Sequence, residues 1–241
     1  MQTVNLVIGA NGGIGRILVK ILAEQEHGTP LIAVSRAFDA NIVWPENVIK
    51  KELDTADEIA IAQLISAMKK RGMRAKRVFC TVGLLHNDKV APEKKLEEIH
   101  VEQLANYFAV NAILPALWLK HLIEIVISER PIITCVSARV GSIADNQLGG
   151  WYGYRASKAA LNQLVKTASI EYARRLKDPV LVCYQPGTVD TGLSKPFQTN
   201  VKAENLFDPA FAVRQLLSIT SNLHAPPHCR FVDWQGETIN W

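Results

Sequence analysis

The stretch Val4-Asn-Leu-Val-Ile-Gly-Ala-Asn-Gly-Gly-Ile-Gly15 decides the fold of this chain, because an apolar strand runs directly into a glycine-rich turn. An amphipathic helical pattern follows the turn, with apolar residues at Ile17, Leu18, Ile21 and Leu22. Strand, glycine turn and helix in this order are typical of a phosphate-binding cradle at a helix N-terminus. An ordinary tight turn is the alternative for a glycine motif taken alone.

Three glycines in this turn, Gly9, Gly13 and Gly15, form the spacing G-x-x-x-G-x-G, a variant of the dinucleotide-binding fingerprint. The absence of side chains at these positions lets a pyrophosphate approach the helix amides. Asn11 and Ile14 lie in the same turn. We therefore predict that all five residues contact a dinucleotide cofactor.

Strand-length apolar runs and helix-length periodicities alternate along the rest of the chain. Further strands are predicted at Leu31–Val34, Val48–Leu53, Val78–Val82, Ile132–Val136, Val180–Tyr184 and Arg230–Val232. Helices are predicted over 13–25, 57–70, 101–127, 153–175 and 208–221. Because no linker or repeat interrupts this alternation, it predicts one α/β domain over residues 1–241, with a parallel sheet covered on both faces.

Composition and charge disfavour several classes of protein. The 241 residues are 48% hydrophobic, and the formal charge of +4 comes from scattered basic residues, which argues against a nucleic-acid surface. No signal-peptide pattern and no apolar run of about 18 residues is present, so we expect a cytoplasmic protein without a membrane span. The cysteine spacing matches neither a zinc site nor a disulfide framework, which predicts buried reduced thiols and no metal: Cys80, Cys135, Cys183 and Cys229.

The candidate functional residues directly follow the predicted strands at their carboxyl ends, which is where parallel sheets bind ligands. After the glycine turn they are Ser35 and Arg36, Asp54, Gly83, Ser137, and the segment Pro186-Gly-Thr-Val-Asp-Thr191. Such a preference for one end of the sheet is not expected of scattered turn residues. A single ligand crevice at this end is therefore predicted.

The end of the second strand indicates which nicotinamide cofactor binds. An acidic residue about 20 positions after the glycines would bind the ribose 2′-hydroxyl of NAD(H). Ser35 and Arg36 stand there instead, and a guanidinium pairs well with a 2′-phosphate. This predicts a preference for NADP(H), with NAD(H) as the alternative. Asp54 either accepts a hydrogen bond from the adenine amino group or caps the helix that begins near Ala56.

Tyr154 and Lys158 stand four residues apart at the start of a predicted helix. This spacing places both side chains on one helix face, where the ammonium is expected to lower the pKa of the phenol. A tyrosine tuned in this way exchanges a proton near neutral pH. Taken alone, the same pair also fits an ordinary amphipathic helix.

The glycine spacing, Asn111 in Val-Asn-Ala-Ile-Leu-Pro and Tyr154-x-x-x-Lys158 together resemble the short-chain dehydrogenase/reductase family over essentially the whole chain. The segment 140–162 is most similar to the carbonyl-reductase branch that contains the C-factor and sniffer proteins. This resemblance implies a single-domain, Rossmann-type doubly wound parallel sheet. It also implies an oxidoreductase that uses NADPH to reduce a small aldehyde or ketone to an alcohol.

The resemblance further implies a role for each matching residue. Tyr154 would protonate the carbonyl oxygen as hydride arrives, and Lys158 would lower the tyrosine pKa and bind the nicotinamide ribose. Ser137 would hydrogen-bond the carbonyl oxygen, and Asn111 would hold a water that relays protons to Lys158. The carboxamide end of the cofactor would be contacted by Pro186, Gly187, Val189 and Thr191.

Two positions depart from the family pattern. The family's catalytic serine usually stands three residues before Gly141, and this chain has Ala138 there. We predict that Ser137 takes that role. One alternative is that Ser142 takes it; the other is that Ser137 is only a turn residue at the end of the strand. After the fourth strand, Cys80-Thr-Val-Gly83 replaces the common Asn-Asn-Ala-Gly, which keeps the glycine and loses the asparagine side chains. Asn111 has a structural alternative as a helix residue bonded to a neighbouring carbonyl.

The polar segment 193–207 is predicted to form a mobile lid, and Leu84, Trp151 and Phe197 either line an apolar substrate pocket or pack structurally. The helices over 101–127 and 153–175 carry apolar residues on more than one face, which predicts a homodimer or homotetramer. The alternative function is a cofactor-binding sensor or signalling protein with little turnover. Ala138 and the likeness to the C-factor favour that alternative.

Overall fold

The computed structural model describes all 241 residues, Met1–Trp241. Nine strands are present: β1 (Gln2–Ile8), β2 (Leu31–Ser35), β3 (Val48–Glu52), β4 (Met73–Cys80), β5 (Ile132–Val136), β6 (Val180–Gln185), β7 (Thr188–Val189), β8 (Leu206–Phe207) and β9 (Cys229–Asp233). Six α-helices accompany them: α1 (Gly13–Gln25), α2 (Glu58–Lys70), α3 (Val101–Phe108), α4 (Leu114–Leu122), α5 (Tyr152–Arg175) and α6 (Pro209–Ser221).

Seven strands form one parallel sheet in the order β3-β2-β1-β4-β5-β6-β9, and β7 pairs separately with β8. The chain starts in the middle of the sheet and winds outward in both directions, so the order reverses beside β1. That reversal is the switch point at which doubly wound sheets open a ligand crevice. The predicted α/β class and the parallel sheet are confirmed.

Helices cover both faces of the sheet, which explains why the strands are apolar on both sides. On one face, Leu64 of α2, Trp118 of α4 and Leu161 of α5 pack on the strands. On the other face, Leu18 of α1 and Leu216 of α6 do so. All five side chains are buried, and burial of each large apolar side chain contributes roughly 1.5–3 kcal/mol.

The region predicted as one helix over 101–127 differs from that prediction. A π-helical turn, Ala109–Ile113, separates α3 from α4, and α4 ends at Leu122. The following apolar residues leave the helix and bond to the edge of β4: Ala75 donates to the Ile125 carbonyl at 2.7 Å, and Ile127 donates to Ala75 at 2.9 Å. The apolar pattern continues past the end of α4 because the residues that follow are also buried, although they no longer form a helix.

The four cysteines are unpaired and buried, as predicted. Three of them lie side by side on neighbouring strands, since Cys80 pairs in register with Cys135 and Cys135 with Cys183. Their row ends beneath the crevice described below. None of the helices is both long enough and apolar enough to cross a membrane.

Candidate active site

The glycine turn forms a cradle that admits no side chains. Gly9 adopts a φ of 83°, which favours glycine, and a Cβ there would lie 2.9 Å from Thr81 Oγ1. A Cβ on Gly15 would lie 2.2 Å from the Gly9 carbonyl oxygen. Gly12 occupies the N-cap position before α1 and has no side chain that could cap the helix. The first amides of α1 therefore stay available to an external anion. These features fit the pyrophosphate of a dinucleotide.

The segment after β6 closes over this cradle. A Cβ on Gly13 would lie 2.6 Å from Thr191 Cγ2, so the two sequence-predicted residues face each other directly. Gly187 has a φ of 77° and contacts Phe207, while Pro186 and Val189 are buried beside it. The structure therefore brings both predicted cofactor-binding segments to one end of the sheet. Ile14 lies in the same turn, and its partly buried side chain packs against the core on that face of the sheet; its contact with the cofactor stays a prediction.

A cluster of polar groups lies where the adenosine end of a dinucleotide is expected. Ser35 is buried at the end of β2, and Arg36 is exposed. Arg16 was not singled out by sequence reasoning, although it directly follows Gly15. Its Nε donates to the Asn11 carbonyl at 2.7 Å and to Asn11 Oδ1 at 3.0 Å, and its guanidinium lies 3.8 Å from Asp39. Two arginines therefore border this end of the crevice.

Asp54 is exposed beyond β3, and its Oδ1 accepts a hydrogen bond from the Ala56 amide at 3.0 Å. It is not the cap of α2. Asp57 caps that helix, accepting from Ile59 at 2.9 Å and Ala60 at 3.2 Å. The helix begins later than predicted, which leaves the cap alternative for Asp54 without support and the adenine contact as a proposal.

Lys158 is a buried cation at the centre of the crevice. Its Nζ donates to the Val136 carbonyl at 3.0 Å, and a Cβ on Gly83 would lie 3.6 Å from the same nitrogen. Burial lowers the pKa of Lys158 to about 8, and the thiols of Cys80, Cys135 and Cys183 beneath it act in the opposite direction. Gly83 therefore keeps the path to this ammonium open.

Tyr154 lies beside Lys158 on α5, as its spacing predicted, but the expected electrostatic effect is absent. Burial raises the pKa of the Tyr154 phenol above its ordinary value. Lys158 Nζ lies 5.9 Å from the ring centroid and is bonded to Val136 instead of the phenol. The prediction of a lowered phenol pKa is wrong for this structure, because desolvation outweighs an ammonium at this distance.

Asn111 occupies the π-helical turn, and such turns recur at functional sites. Its Oδ1 accepts from the Leu84 amide at 2.8 Å, and its Nδ2 donates to the Leu84 carbonyl at 2.9 Å and to Ser157 Oγ at 3.0 Å. A Cβ on Gly83 would lie 3.7 Å from its Oδ1. The residue joins the end of β4 to α5 next to Lys158.

The two candidates for the catalytic serine, Ser137 and Ser142, point in different directions. The hydroxyl of Ser137 is buried and donates to Asn162 Oδ1 of α5 at 2.6 Å. Ser142 donates to the Asn240 carbonyl at 2.5 Å, which ties it to the C-terminal segment. Ala138, at the position where the family usually has the serine, packs together with Val140 against the Tyr154 cluster, which consists of Leu85, Val90, Tyr107 and Tyr154. The hydroxyl of Ser137 can donate to a substrate carbonyl only after it releases Asn162.

An aromatic wall surrounds Tyr154 on the outer side of the crevice. The Trp151 ring lies 6.0 Å from the Tyr154 ring and 5.2 Å from the Phe197 ring, between centroids. His86 continues the wall at 5.6 Å from Phe197, and Tyr107 packs 6.1 Å from Tyr154. Sequence reasoning found Trp151 and Phe197 but not His86 or Tyr107, because only packing brings these rings together. The wall is suited to apolar, planar ligands.

The segment predicted as a lid begins beside this wall. His86 Nε2 and the Gly192 carbonyl oxygen lie 3.0 Å apart, and Ser194 Oγ donates to the Val189 carbonyl at 2.5 Å. Phe197 enters the wall from a short 3₁₀ turn, Lys195–Phe197. The segment returns to the body through the pairing of β8 with β7.

The lowered pKa of Lys158 has a measurable consequence for stability. From the native value of about 8 up to the ordinary value of 10.5, the unfolded chain binds a proton at this position that the native chain does not bind. The buried ammonium thus destabilises the fold below pH 8, and the penalty shrinks as pH rises. We expect the stability advantage of Lys158→Met over the parent, both without cofactor, to shrink by about 2 kcal/mol between about pH 7.5 and 9.5.

Urea unfolding of both proteins at the two pH values measures this difference. The comparison with Lys158→Met is needed because the raised thiol pKa values also lower stability with rising pH: the hydrogen bond with Cys80, and then burial, raises the pKa of Cys135, and burial raises that of Cys183. A pH-independent difference between the two proteins would contradict the assignment.

The sequence model of the short chain dehydrogenase family matches residues 3–202. The chain belongs to the short chain dehydrogenase family. It is therefore an oxidoreductase of the NAD(P)-dependent class, as the sequence resemblance implied. The position of Tyr154 and Lys158 at the same end of the sheet as the glycine cradle is in keeping with this membership.

Two relatives have sequences similar to that of this short chain dehydrogenase. It is 27% identical to the 1-hydroxy-2-glutathionyl-2-methyl-3-butene dehydrogenase of Rhodococcus sp. (strain AD45) over 246 residues, which cover 100% of both chains. It is 36% identical to the C-signal protein of Myxococcus xanthus over 106 residues, which are 44% of this chain and 58% of that protein.

Solved structures confirm the fold of this short chain dehydrogenase. The carbonyl reductase Sniffer of D. melanogaster superposes with a TM-score of 0.83 at 21% identity, covering 100% of both chains. The NADPH-bound carbonyl reductase from chicken fatty liver superposes with a TM-score of 0.82 at 20% identity and the same coverage. The predicted single-domain Rossmann-type architecture is thereby confirmed.

Proposed function

We propose that this short chain dehydrogenase is an NADPH-dependent carbonyl reductase that converts an aldehyde or ketone to an alcohol. The observation that carries the proposal is the juxtaposition of Tyr154, Lys158 and the glycine cradle at one end of the sheet. The chemistry needs a proton donor and a hydride source that are held together in a site with little water. Tyr154 is buried next to Lys158, and the cradle lies at the same end of the sheet.

When bound, NADPH supplies the hydride, and this chain supplies the proton and the positioning. We assign the proton to the Tyr154 phenol, which is protonated at neutral pH. Because burial raises its pKa, proton donation needs a nearby positive charge that stabilises the phenolate. Lys158 provides the positive charge that favours the phenolate left after transfer. Asn111 holds the backbone at Leu84 in place and lies close enough to Gly83 to order a water toward Lys158.

The cofactor contacts follow the crevice from one end to the other. The cradle, Gly9 to Gly15, is proposed to hold the pyrophosphate, with Asp54 at the adenine and Arg36 at the 2′-phosphate. Lys158 is proposed to bind the nicotinamide ribose and the segment 186–191 the carboxamide. The chicken carbonyl reductase, which has the same fold, binds NADPH, and this supports the proposal that this chain prefers NADP(H) over NAD(H).

Arg36→Ala tests that preference. A charged hydrogen bond to the 2′-phosphate contributes roughly 1.5–3 kcal/mol, so its loss is expected to weaken NADP⁺ binding by about 10- to 150-fold. NAD⁺ has no such phosphate and is expected to bind both proteins alike. Calorimetric titration with each cofactor measures the difference, and Arg174→Ala at the far end of α5 is the matched control. Equal weakening toward both cofactors would refute the assignment.

The experiment that tests the reductase function follows NADPH oxidation across aldehydes, ketones and quinones, each in an aromatic and an aliphatic form. The aromatic wall of Trp151, Phe197 and His86 favours the aromatic compounds. Turnover that depends on Tyr154 supports the proposal. No turnover above a Tyr154→Phe background on the whole panel would count decisively against it.

A second candidate function is cofactor-dependent sensing with little turnover. Ala138, which stands where the family has a catalytic serine, packs against the Tyr154 cluster, while the Ser137 hydroxyl is engaged with Asn162. The similarity to C-signal over 106 residues supports this candidate further. Tight NADPH binding, activity indifferent to Tyr154→Phe and a protein partner released by cofactor would identify it.

We also propose that the protein is cytoplasmic and assembles with copies of itself. Four unpaired thiols are typical of a reducing compartment. Leu164 of α5 and Ile113 of the π-helical turn before α4 are exposed apolar residues in the two regions, 101–127 and 153–175, whose apolar faces predict a subunit contact. The other apolar face of these helices, with Trp118 and Leu161, packs in the core of the same chain.

A further inference from the structure

Glu93 is a buried carboxylate in the connection between β4 and α3 that the proposed chemistry leaves unused. It is only 1% exposed. Its Oε2 accepts a hydrogen bond from the Gly153 amide at 3.0 Å, and its Oε1 has no hydrogen-bond partner. Gly153 directly precedes Tyr154 in the first turn of α5. An acidic side chain is rarely buried without a specific role.

The start of α5 has no cap from its own segment. The preceding residue, Trp151, adopts a left-handed conformation with a φ of 54°, and its side chain caps nothing. By contrast, α2 and α6 begin with the local caps Asp57 and Asp208, each of which accepts two amide hydrogens. Glu93 supplies the missing acceptor from 60 residues away in the chain. A carboxylate at this place is also favoured by the helix dipole.

Glu93 holds this turn by its backbone as well. Its carbonyl oxygen accepts the Trp151 amide at 2.5 Å, so the residues on both sides of the first helical position are bonded to Glu93. A Cβ on Gly153 would lie 2.9 Å from Glu93 Oε1 and 2.5 Å from Tyr107 Cδ2. Glycine at 153 is therefore required for the carboxylate to approach the helix.

The rings beside Tyr154 depend on the same contacts. Trp151 is tied to Glu93 through its amide, and Tyr107 packs against Gly153 on the side where the carboxylate lies. Both rings meet the Tyr154 ring edge-on, at 6.0 and 6.1 Å between centroids. A change at Glu93 thus reaches Tyr154 through its preceding amide and through two of its ring neighbours.

We propose that Glu93 is a positioning residue for Tyr154: it caps α5 from outside the helix and sets the direction in which the Tyr154 and Trp151 rings enter the crevice. The inference rests on the proposed function, because Tyr154 is the proton donor there. Misplacing a reacting group by about 1 Å costs on the order of 100-fold in rate. The effect on turnover is therefore expected to exceed that of an ordinary helix cap.

Three substitutions separate positioning from packing. Glu93→Gln keeps the length and the acceptor and is expected to retain kcat within about threefold, since the Gly153 bond remains. Glu93→Asp withdraws the acceptor by one methylene, and Glu93→Ala removes it. Both are expected to lower kcat roughly 10- to 100-fold, with the KM for NADPH nearly unchanged because the cradle is untouched.

The matched control is Asp57→Ala, which removes the cap of α2 away from Tyr154 and is expected to leave kcat unchanged. Hydrogen exchange of the 152–158 amides gives a readout without activity: Glu93→Asp should accelerate it and Asp57→Ala should not. If Glu93→Ala does not fold, the comparison of Glu93→Gln with Glu93→Asp still tests the positioning role. Unchanged kcat and exchange in Glu93→Asp, or equal losses in Asp57→Ala, would overturn the inference.

Failure of the proposed function has a different signature. In that case the parent shows no turnover that depends on Tyr154, whereas the exchange of the 152–158 amides still reports whether Glu93 holds the start of α5. Turnover that depends on Tyr154 but is indifferent to Glu93→Asp leaves the reductase function standing and removes only the positioning role.

Discussion

Tyr154→Phe is expected to lower kcat for carbonyl reduction by about 10²- to 10⁴-fold, the range that a positioned general acid contributes. Phenylalanine retains the ring contacts with Trp151 and Tyr107, so the crevice keeps its shape. Only the proton donor is removed. The affinity for NADPH should therefore change little, and the loss should appear in kcat and in kcat/KM alike. Steady-state kinetics with the best substrate of the panel, together with NADPH titration, measure both.

Tyr172→Phe is the matched control for this prediction. Tyr172 is another buried tyrosine of α5, and its hydroxyl donates to the Leu119 carbonyl at 2.6 Å, far from the cradle. Removing this hydroxyl is expected to cost about 1 kcal/mol of stability and no activity. If Tyr154→Phe kept more than a tenth of the parent kcat, Tyr154 would not be the acid.

Gly15→Ala is expected to abolish useful cofactor binding. The new Cβ would stand 2.2 Å from the Gly9 carbonyl oxygen and 3.0 Å from Ala10 Cα, so the backbone of the cradle must move. Overpacking of this kind costs about 1–3 kcal/mol, and it falls on the turn that is proposed to hold the pyrophosphate. We expect roughly 100-fold weaker NADPH binding and a lower melting temperature.

Gly28→Ala is the control for that substitution, because nothing lies within 4 Å of the position that its Cβ would take. It should leave NADPH affinity and stability near those of the parent. Titration calorimetry and thermal unfolding of both variants provide the comparison. Unaltered NADPH affinity in a folded Gly15→Ala protein would show that the cofactor does not use this cradle.

Several elements follow from the sequence alone with nearly correct bounds. The predicted helix over 13–25 matches α1, and the predicted strand Ile132–Val136 matches β5. These elements are predictable because each buries a periodic apolar face, and the period differs between helix and strand. The N-cap of α2 could not be predicted from such a pattern. The polar turn before α2 contains two aspartates, Asp54 and Asp57, and the backbone conformation of the turn decides that Asp57 is the cap.

Other features depend on contacts that no local pattern records. The π-helical turn at Asn111 forms where its side chain bonds to Leu84, 27 residues away, and the continuous apolar periodicity of 101–127 hides it. The raised pKa of Tyr154 likewise reflects desolvation by surrounding residues, whereas the i, i+4 spacing records only the nearby Lys158. Both the π-helical turn and the Tyr154 pKa therefore depend on contacts between residues that are far apart in the sequence.

The sequence by itself determined the α/β class, the parallel sheet and the gathering of Gly9, Gly83 and Thr191 at one end of it. These follow from apolar periodicity and from the rule that parallel strands present their carboxyl ends on the same side. Only the tertiary structure decided that Ser137 turns to Asn162 and that Glu93 caps α5. The direction of a side chain at a strand end, and bonds between residues far apart in the chain, depend on how complete elements pack against each other.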